Sequence, residues 1–252
     1  MRKFAALTVF VLVITILSCS KKEKPMESEF DRFSPLNDQQ VTELLKKAKS
    51  ESTAEAVDPQ KSLTKEEIDN ILATVAATQV EQVGEDEVAI IETSVGTIVL
   101  AFYTDEAPEH SKGFKRLVTS GFYTGTRFHR IIDGFVVQGG DILTRDGNPD
   151  NDGTGGPGYN LPAEFNGIPH DLGIISMARS QDPNSGGSQF FICLSRQGTQ
   201  ALDGKYTVFA KAIGGMDVVQ KLGKTPTATN KYGEKSTPLE PVYINSAYMV
   251  TR

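Results

Sequence analysis

Few side chains in this 252-residue sequence have the types and spacing that reaction chemistry needs. His110, His129 and His170 are its only imidazoles, and they are too scattered to form the short-spaced ligand pairs of a zinc site. The run Asp146-Gly147-Asn148-Pro149-Asp150-Asn151-Asp152-Gly153 has the acidic rhythm of a calcium loop. It carries Asn151 where the sixth position needs Gly and Pro157 where the twelfth needs Glu, so it reads as an Asx-rich turn. Ser176, Ser188 and Ser195 lack the Gly-x-Ser-x-Gly setting of a nucleophile elbow. Cys193 sits in the apolar run Gln189 to Leu194, a buried strand where a thiol is a small inert hydrophobe. Arg130 remains. It is a permanently charged, donor-only fork, able to stabilise developing electron density without exchanging a proton. In an arbitrary β-rich protein its default state is solvated or ion-paired.

The elements that must position these groups fall into three stretches. Met1-Arg2-Lys3 and the apolar run Phe4 to Leu17 form a segment too short to span a bilayer, matching a secretory signal. Residues 19–84 are polar and poor in aromatics. Asn37 to Gln40 can cap a helix with Val41, Leu44, Leu45 and Ala48 on one face, and Thr64-Lys65-Glu66-Glu67 is a capping box ahead of Ile68, Ile71, Leu72, Val75 and Ala76. Residues 50–59 between them read as a linker. The arm serves either as a spacer or as an apolar surface for a partner, a second copy or the domain that follows.

From residue 85 to 252 the texture becomes Gly-rich and strand-rich. Val88 to Tyr103 reads as a hairpin with Ile98, Leu100 and Phe102 on one face. Pro108 opens a helix carrying Phe114, Leu117 and Val118. Strands are expected over 127–132, 135–138, 173–178, 189–194, 206–212 and 242–250, with a short helix over 216–222. Many short strands with Gly-rich turns imply a barrel or sandwich. The net charge of −6 without a basic cluster argues against a nucleic-acid partner.

Two resemblances sharpen this reading. Ile16-Leu17-Ser18-Cys19 resembles a bacterial lipobox, which implies lipidation of Cys19, a signal peptide over residues 1–18, a membrane anchor and an address in the cell envelope. The segment Phe128 to Asp141, FHRIIDGFVVQGGD, is similar to the cyclophilin signature. The similarity continues through Gly153 to Tyr159, Ile175 to Ala178, Gly187 to Ile192 and Leu202 to Phe209, in family order over nearly the whole of 85–252. It implies a mainly β fold: a closed eight-stranded antiparallel barrel capped by two helices, here preceded by the helical arm. It implies a cofactor-free, metal-free peptidyl-prolyl cis-trans isomerase whose partners are proline-containing polypeptides. Carried over by position, Arg130, Phe135 and Gln138 are the catalytic residues. Val136, Ala178, Arg179, Ser180, Gln189, Phe191, Leu202 and Tyr206 are the substrate-binding ones. Phe128 and Phe190 belong to the core, because alternation sends neighbours to opposite faces. His129 is expected to be structural, since rotation about an amide transfers no proton. Val136, Tyr206 and Ala201 depart from the residues common in the family. A non-catalytic lipoprotein that binds or scaffolds proline segments through the same fold is the alternative.

Overall fold

The structure, a computed structural model, describes residues 32–52 and 57–252. The signal segment, Cys19 and positions 53–56 of the expected linker lie outside the described residues. Helix α1 (Asp38–Glu51) and helix α2 (Lys65–Ala77) open as their sequences dictate. Asn37 and Gln40 form a reciprocal capping box, as do Thr64 and Glu67, each satisfying two N–H groups that a first turn leaves without helical partners.

The hairpin β1 (Glu87–Thr93) and β2 (Gly96–Phe102) leads into α3 (Pro108–Thr119), with Pro108 in its first turn. Then follow β3 (Arg130–Ile132), β4 (Val136–Gly139), β5 (Ile174–Met177), β6 (Phe190–Cys193), the one-turn α4 (Arg196–Thr199) and β7 (Val208–Gly214). The chain ends with α5 (Met216–Gly223), a small hairpin of β8 (Thr227–Thr229) and β9 (Lys235–Pro238), and β10 (Ile244–Thr251). Eight strands form one antiparallel sheet in the order β10-β1-β2-β7-β5-β6-β4-β3.

Strict alternation assigns the two faces of this sheet. Ala89, Ile91, Ile98, Leu100, Ile131, Val137, Ile175, Met177, Phe190 and Ile192 point into one core with Phe114 and Leu117 of α3 and Val219 and Leu222 of α5. The alternate residues Val88, Ile90, Val99 and Ala101 are just as apolar, so β1 and β2 need cover on their second face as well. Helix α1 supplies it. Ala48, with Val41, Leu44 and Leu45, packs on Val88, Ile90, Val99, Ala101, Ile213 and Val250. Helix α2 joins the main core through Ile68 and Val75. Among the described residues of the arm, both helices pack against the following domain, one of the roles open to it.

One expectation is corrected, and two elements come in addition to those expected. The sheet is a curled half-barrel, not a closed barrel. β3 and β10 make no ladder, and only the preceding segment reaches across, through Gly125 N–H to Ile244 O, Ile244 N–H to Thr126 O and Phe128 N–H to Val242 O. With three residues β3 is too short to close the gap, and Pro241, which has no N–H, precedes the partner segment. The first addition is a fifth helix in the described chain, the one-turn α4, beside the two arm helices and the domain helices α3 and α5 that the sequence predicts. The second addition is the hairpin β8–β9. Its Thr, Lys and Pro residues show no apolar alternation.

Candidate active site

The outer face of the sheet is divided in two. Helix α1 covers the β10-β1-β2 end, and the candidate residues occupy the other. In the strand register Arg130 of β3 lies opposite Gln138 of β4, Gln138 opposite Phe191 of β6, and Phe191 opposite Ser176 of β5. Directly opposed residues of antiparallel strands project from the same face, so these four side chains form one row across four strands. Val136, two residues from Gln138 and opposite Cys193, is on that face too. Phe190 and Phe128 turn inward, as expected.

Arg130 is gripped from one side. Its Nε donates to Glu234 at 2.7 Å and its Nη2 at 2.8 Å, while Nη1 reaches Gln138 Oε1 at 3.5 Å. The guanidinium carbon is 5.9 Å from the centre of the Phe135 ring. The Arg130 hydrogen bonds hold the Glu234 carboxyl below the usual range. Gln138 Nε2 donates to Gln189 Oε1 at 3.1 Å, and Gln189 Nε2 donates to the carbonyls of Gly153 and Gly155, both at 2.9 Å. The two amides thus tie the row to the Gly-rich loop. Gln138, Ala178, Arg179, Ser180, Gln189 and the stretch Gly153 to Pro157 line a groove of about 320 Å³.

The apolar part is a stack of rings. Phe191 meets Tyr206 edge-on at 5.6 Å and lies nearly parallel to His170 at 6.0 Å. Arg179 covers the Tyr206 ring at 4.7 Å and donates through Nε to Lys205 O. Leu202, partly exposed on the turn Gln200–Leu202, connects to the stack through its neighbour Asp203. That carboxylate lies 3.0 Å from His170 Nδ1, and the Arg196 hydrogen bond lowers its pKa to about 2. Ser176 Oγ is 3.1 Å from His170 Nε2, so Ser176, His170 and Asp203 have the order of a hydrolytic triad. They do not act as one. Ser176 and His170 have no exposure to solvent, and Ser176 donates its proton to Thr207 O. Burial lowers the pKa of His170, and the group supports Phe191 from beneath.

The other chemical candidates have structural occupations. Ser188 donates to Gly140 O, and Ser195 caps α4. Asp146 accepts from Asn148 N–H and Asn151 Nδ2, closing its own turn. Burial pushes the His129 pKa down. Gly140 has φ +84°, and a Cβ there would collide with Ser188 O, so only glycine lets β4 pass this close. Burial pushes the Cys193 thiol up to about 12. In a Cys19→Ser background, folded protein at pH 8 is expected to react with iodoacetamide on the order of 100-fold more slowly than in urea. Equal rates would show Cys193 to be accessible.

A sequence profile described as "Cyclophilin type peptidyl-prolyl cis-trans isomerase/CLD" matches residues 88–249, well over half of the chain. The chain belongs to the cyclophilin-type peptidyl-prolyl cis-trans isomerase family. Curated cyclophilin relatives include a probable peptidyl-prolyl cis-trans isomerase of Brucella abortus (strain 2308), 40% identical over 168 residues, spanning 64% of this chain and 84% of the relative. An isomerase of Synechococcus elongatus is 47% identical over 123 residues, spanning 49% and 78%. Among solved structures, a Cryptosporidium parvum cyclophilin-type isomerase crystallised in the presence of the dipeptide Ala-Pro is 31% identical, with a TM-score of 0.57. It covers 66% of this chain and 99% of its own. Helices α1 and α2 precede the stretch that the cyclophilin profile matches.

Sequence reasoning missed Glu234, which comes 104 residues after Arg130 in a polar hairpin with no motif to mark it. It also missed the joint role of His170, Asp203 and Ser176, for which the Leu-Asp-Gly block was the available signal.

Proposed function

We propose that this cyclophilin accelerates cis–trans exchange of X-Pro bonds in exported polypeptides, working at the outer face of a membrane to which Cys19 anchors it. The catalytic part rests on one observation: Arg130, Gln138 and Phe191 share a cross-strand row beside the groove. An amide resists rotation by about 18–20 kcal/mol because its nitrogen lone pair is delocalised. As the bond twists, that nitrogen turns pyramidal and accepts a hydrogen bond. Arg130 donates it, stabilising the twisted state more than either planar isomer. Phe135, Val136, Phe191, Leu202 and Tyr206 hold the proline ring, while Gln138, Gln189 and the 178–180 backbone hold the peptide on either side. No proton moves and no cofactor is called for. The assay that tests this is peptide exchange with wild type and Arg130→Ala, argued below. A pure proline-segment binder has no use for a guanidinium at the amide nitrogen.

The anchor rests on the basic start, the apolar run and Ile16 to Cys19. A diacylated N-terminus holds a protein on a bilayer far more firmly than a single chain. Cells expressing the full chain with labelled palmitate are expected to mark the wild type and not Cys19→Ser. Equal labelling of both would remove the anchor and leave the isomerase reading intact.

A further inference from the structure

A long side chain that must meet a transient nitrogen needs its donors fixed beforehand, because misplacement by an ångström costs large factors in rate. Arg130 is about one-third exposed and carries the rotamer freedom of a long side chain. On its own strand pair it has the 3.5 Å contact to Gln138, at the limit of hydrogen-bond length, and the Phe135 ring, whose centre is 5.9 Å from the guanidinium carbon. Its short, charge-assisted bonds go to Glu234, and they take Nε and one N–H of Nη2. The side-on grip leaves further N–H groups at the tip of the fork to donate elsewhere.

Glu234 is itself held firmly. Its N–H donates to Asn230 Oδ1 at 3.0 Å, its carbonyl accepts from Asn230 N–H at 2.8 Å, and Asn230 Nδ2 reaches the buried Ser236 hydroxyl at 3.2 Å. Lys231 Nζ, donating to Asp150 O at 2.6 Å, ties the same turn to the loop ahead of the groove wall. A partly exposed ion pair contributes little to stability. A bidentate carboxylate on a pinned turn does restrict a guanidinium to one orientation.

We propose that Glu234 is a positioning residue for Arg130, making the β8–β9 hairpin part of the catalytic apparatus; this rests on Arg130 being the group that meets the proline nitrogen. The test compares full-length wild type, Glu234→Gln, Glu234→Ala, Glu234→Asp, Arg130→Ala and the double variant Arg130→Ala/Glu234→Ala on one Xaa-Pro peptide. Glu234→Gln and Glu234→Ala are expected to lower kcat about five- to twentyfold with KM within about twofold, and Glu234→Asp to recover part of the loss. Glu234→Ala should cost nothing further once Arg130 is gone, and the Arg130 Nε–H resonance should lose its protection from exchange in Glu234→Gln. The isosteric Gln variant, with its fold verified by circular dichroism, covers the case in which Glu234→Ala fails to fold. If Arg130→Ala is impaired while Glu234→Gln matches or exceeds wild type, the positioning role is overturned and the isomerase reading stands. Equal further loss in the Arg130→Ala background would make Glu234 merely structural. An Arg130→Ala enzyme as fast as wild type would overturn the reading beneath as well.

Discussion

Arg130→Ala is expected to slow cis–trans exchange of a short Xaa-Pro peptide about ten- to two-hundredfold while the protein stays folded. The estimate comes from the bond at stake. A charge-assisted hydrogen bond in a partly desolvated groove is worth about 1.5–3 kcal/mol, and each 1.4 kcal/mol is a factor of ten in rate. Because the nitrogen accepts strongly only when twisted, the loss should fall on kcat with KM little changed. Arg130→Lys should recover only part, since an ammonium on a flexible stem cannot keep both the grip on Glu234 and a donor at the nitrogen. Phe191→Ala should behave differently. It removes the ring between His170 and Tyr206, so KM should rise as kcat falls. The wild-type rate should be flat over about pH 7–9, because rotation about the amide transfers no proton. Exchange measured by NMR would report all of these. A folded Arg130→Ala protein with unchanged exchange removes Arg130 from the mechanism, and a wild type without exchange leaves only the binding module.

Removing the arm should have the largest effect on stability. A chain starting at residue 85 loses α1 from the outer face of β1, β2 and β10, uncovering Val88, Ile90, Val99 and Ala101, which are at most 3% exposed in the intact protein. It also loses Ile68 and Val75 from the main core. At roughly 25 cal/mol per Å² of apolar surface, a few hundred Å² corresponds to several kcal/mol, partly offset by the entropy of ordering the helices. A net loss of about 3–5 kcal/mol is expected, with an uncovered apolar face prone to association. Ala48→Glu, which puts a carboxylate into the α1 contact, should reproduce about 2–4 kcal/mol of it in an otherwise complete chain. Urea unfolding followed by circular dichroism measures both. A fragment within about 0.5 kcal/mol of the full chain would mean that α1 and α2 rest on the sheet without stabilising it.

Much of this was written locally in the chain. The capping boxes at Asn37 and Thr64 depend on residues three apart, and both helices begin where those residues stand. Alternation along β4 and β6 sorts Val136, Gln138 and Phe191 from Val137, Phe190 and Ile192 by a period of two, with no knowledge of partner strands. The motif blocks from Phe128 to Phe209 name the family because five of them come in family order over nearly the whole domain. Other features were decided only when distant segments met. The gap between β3 and β10 depends on strand lengths and register that no single stretch records. The unbroken apolar run of β1 announces two covered faces, but not that α1 would be the cover. The motif singles out Arg130 as the catalytic candidate, but the fold alone delivers Glu234 to its Nε and Nη2, from a hairpin without apolar rhythm. A local pattern reports which way a side chain points; which distant carboxylate it meets there is set by the packing of elements whose contacts leave no periodic trace.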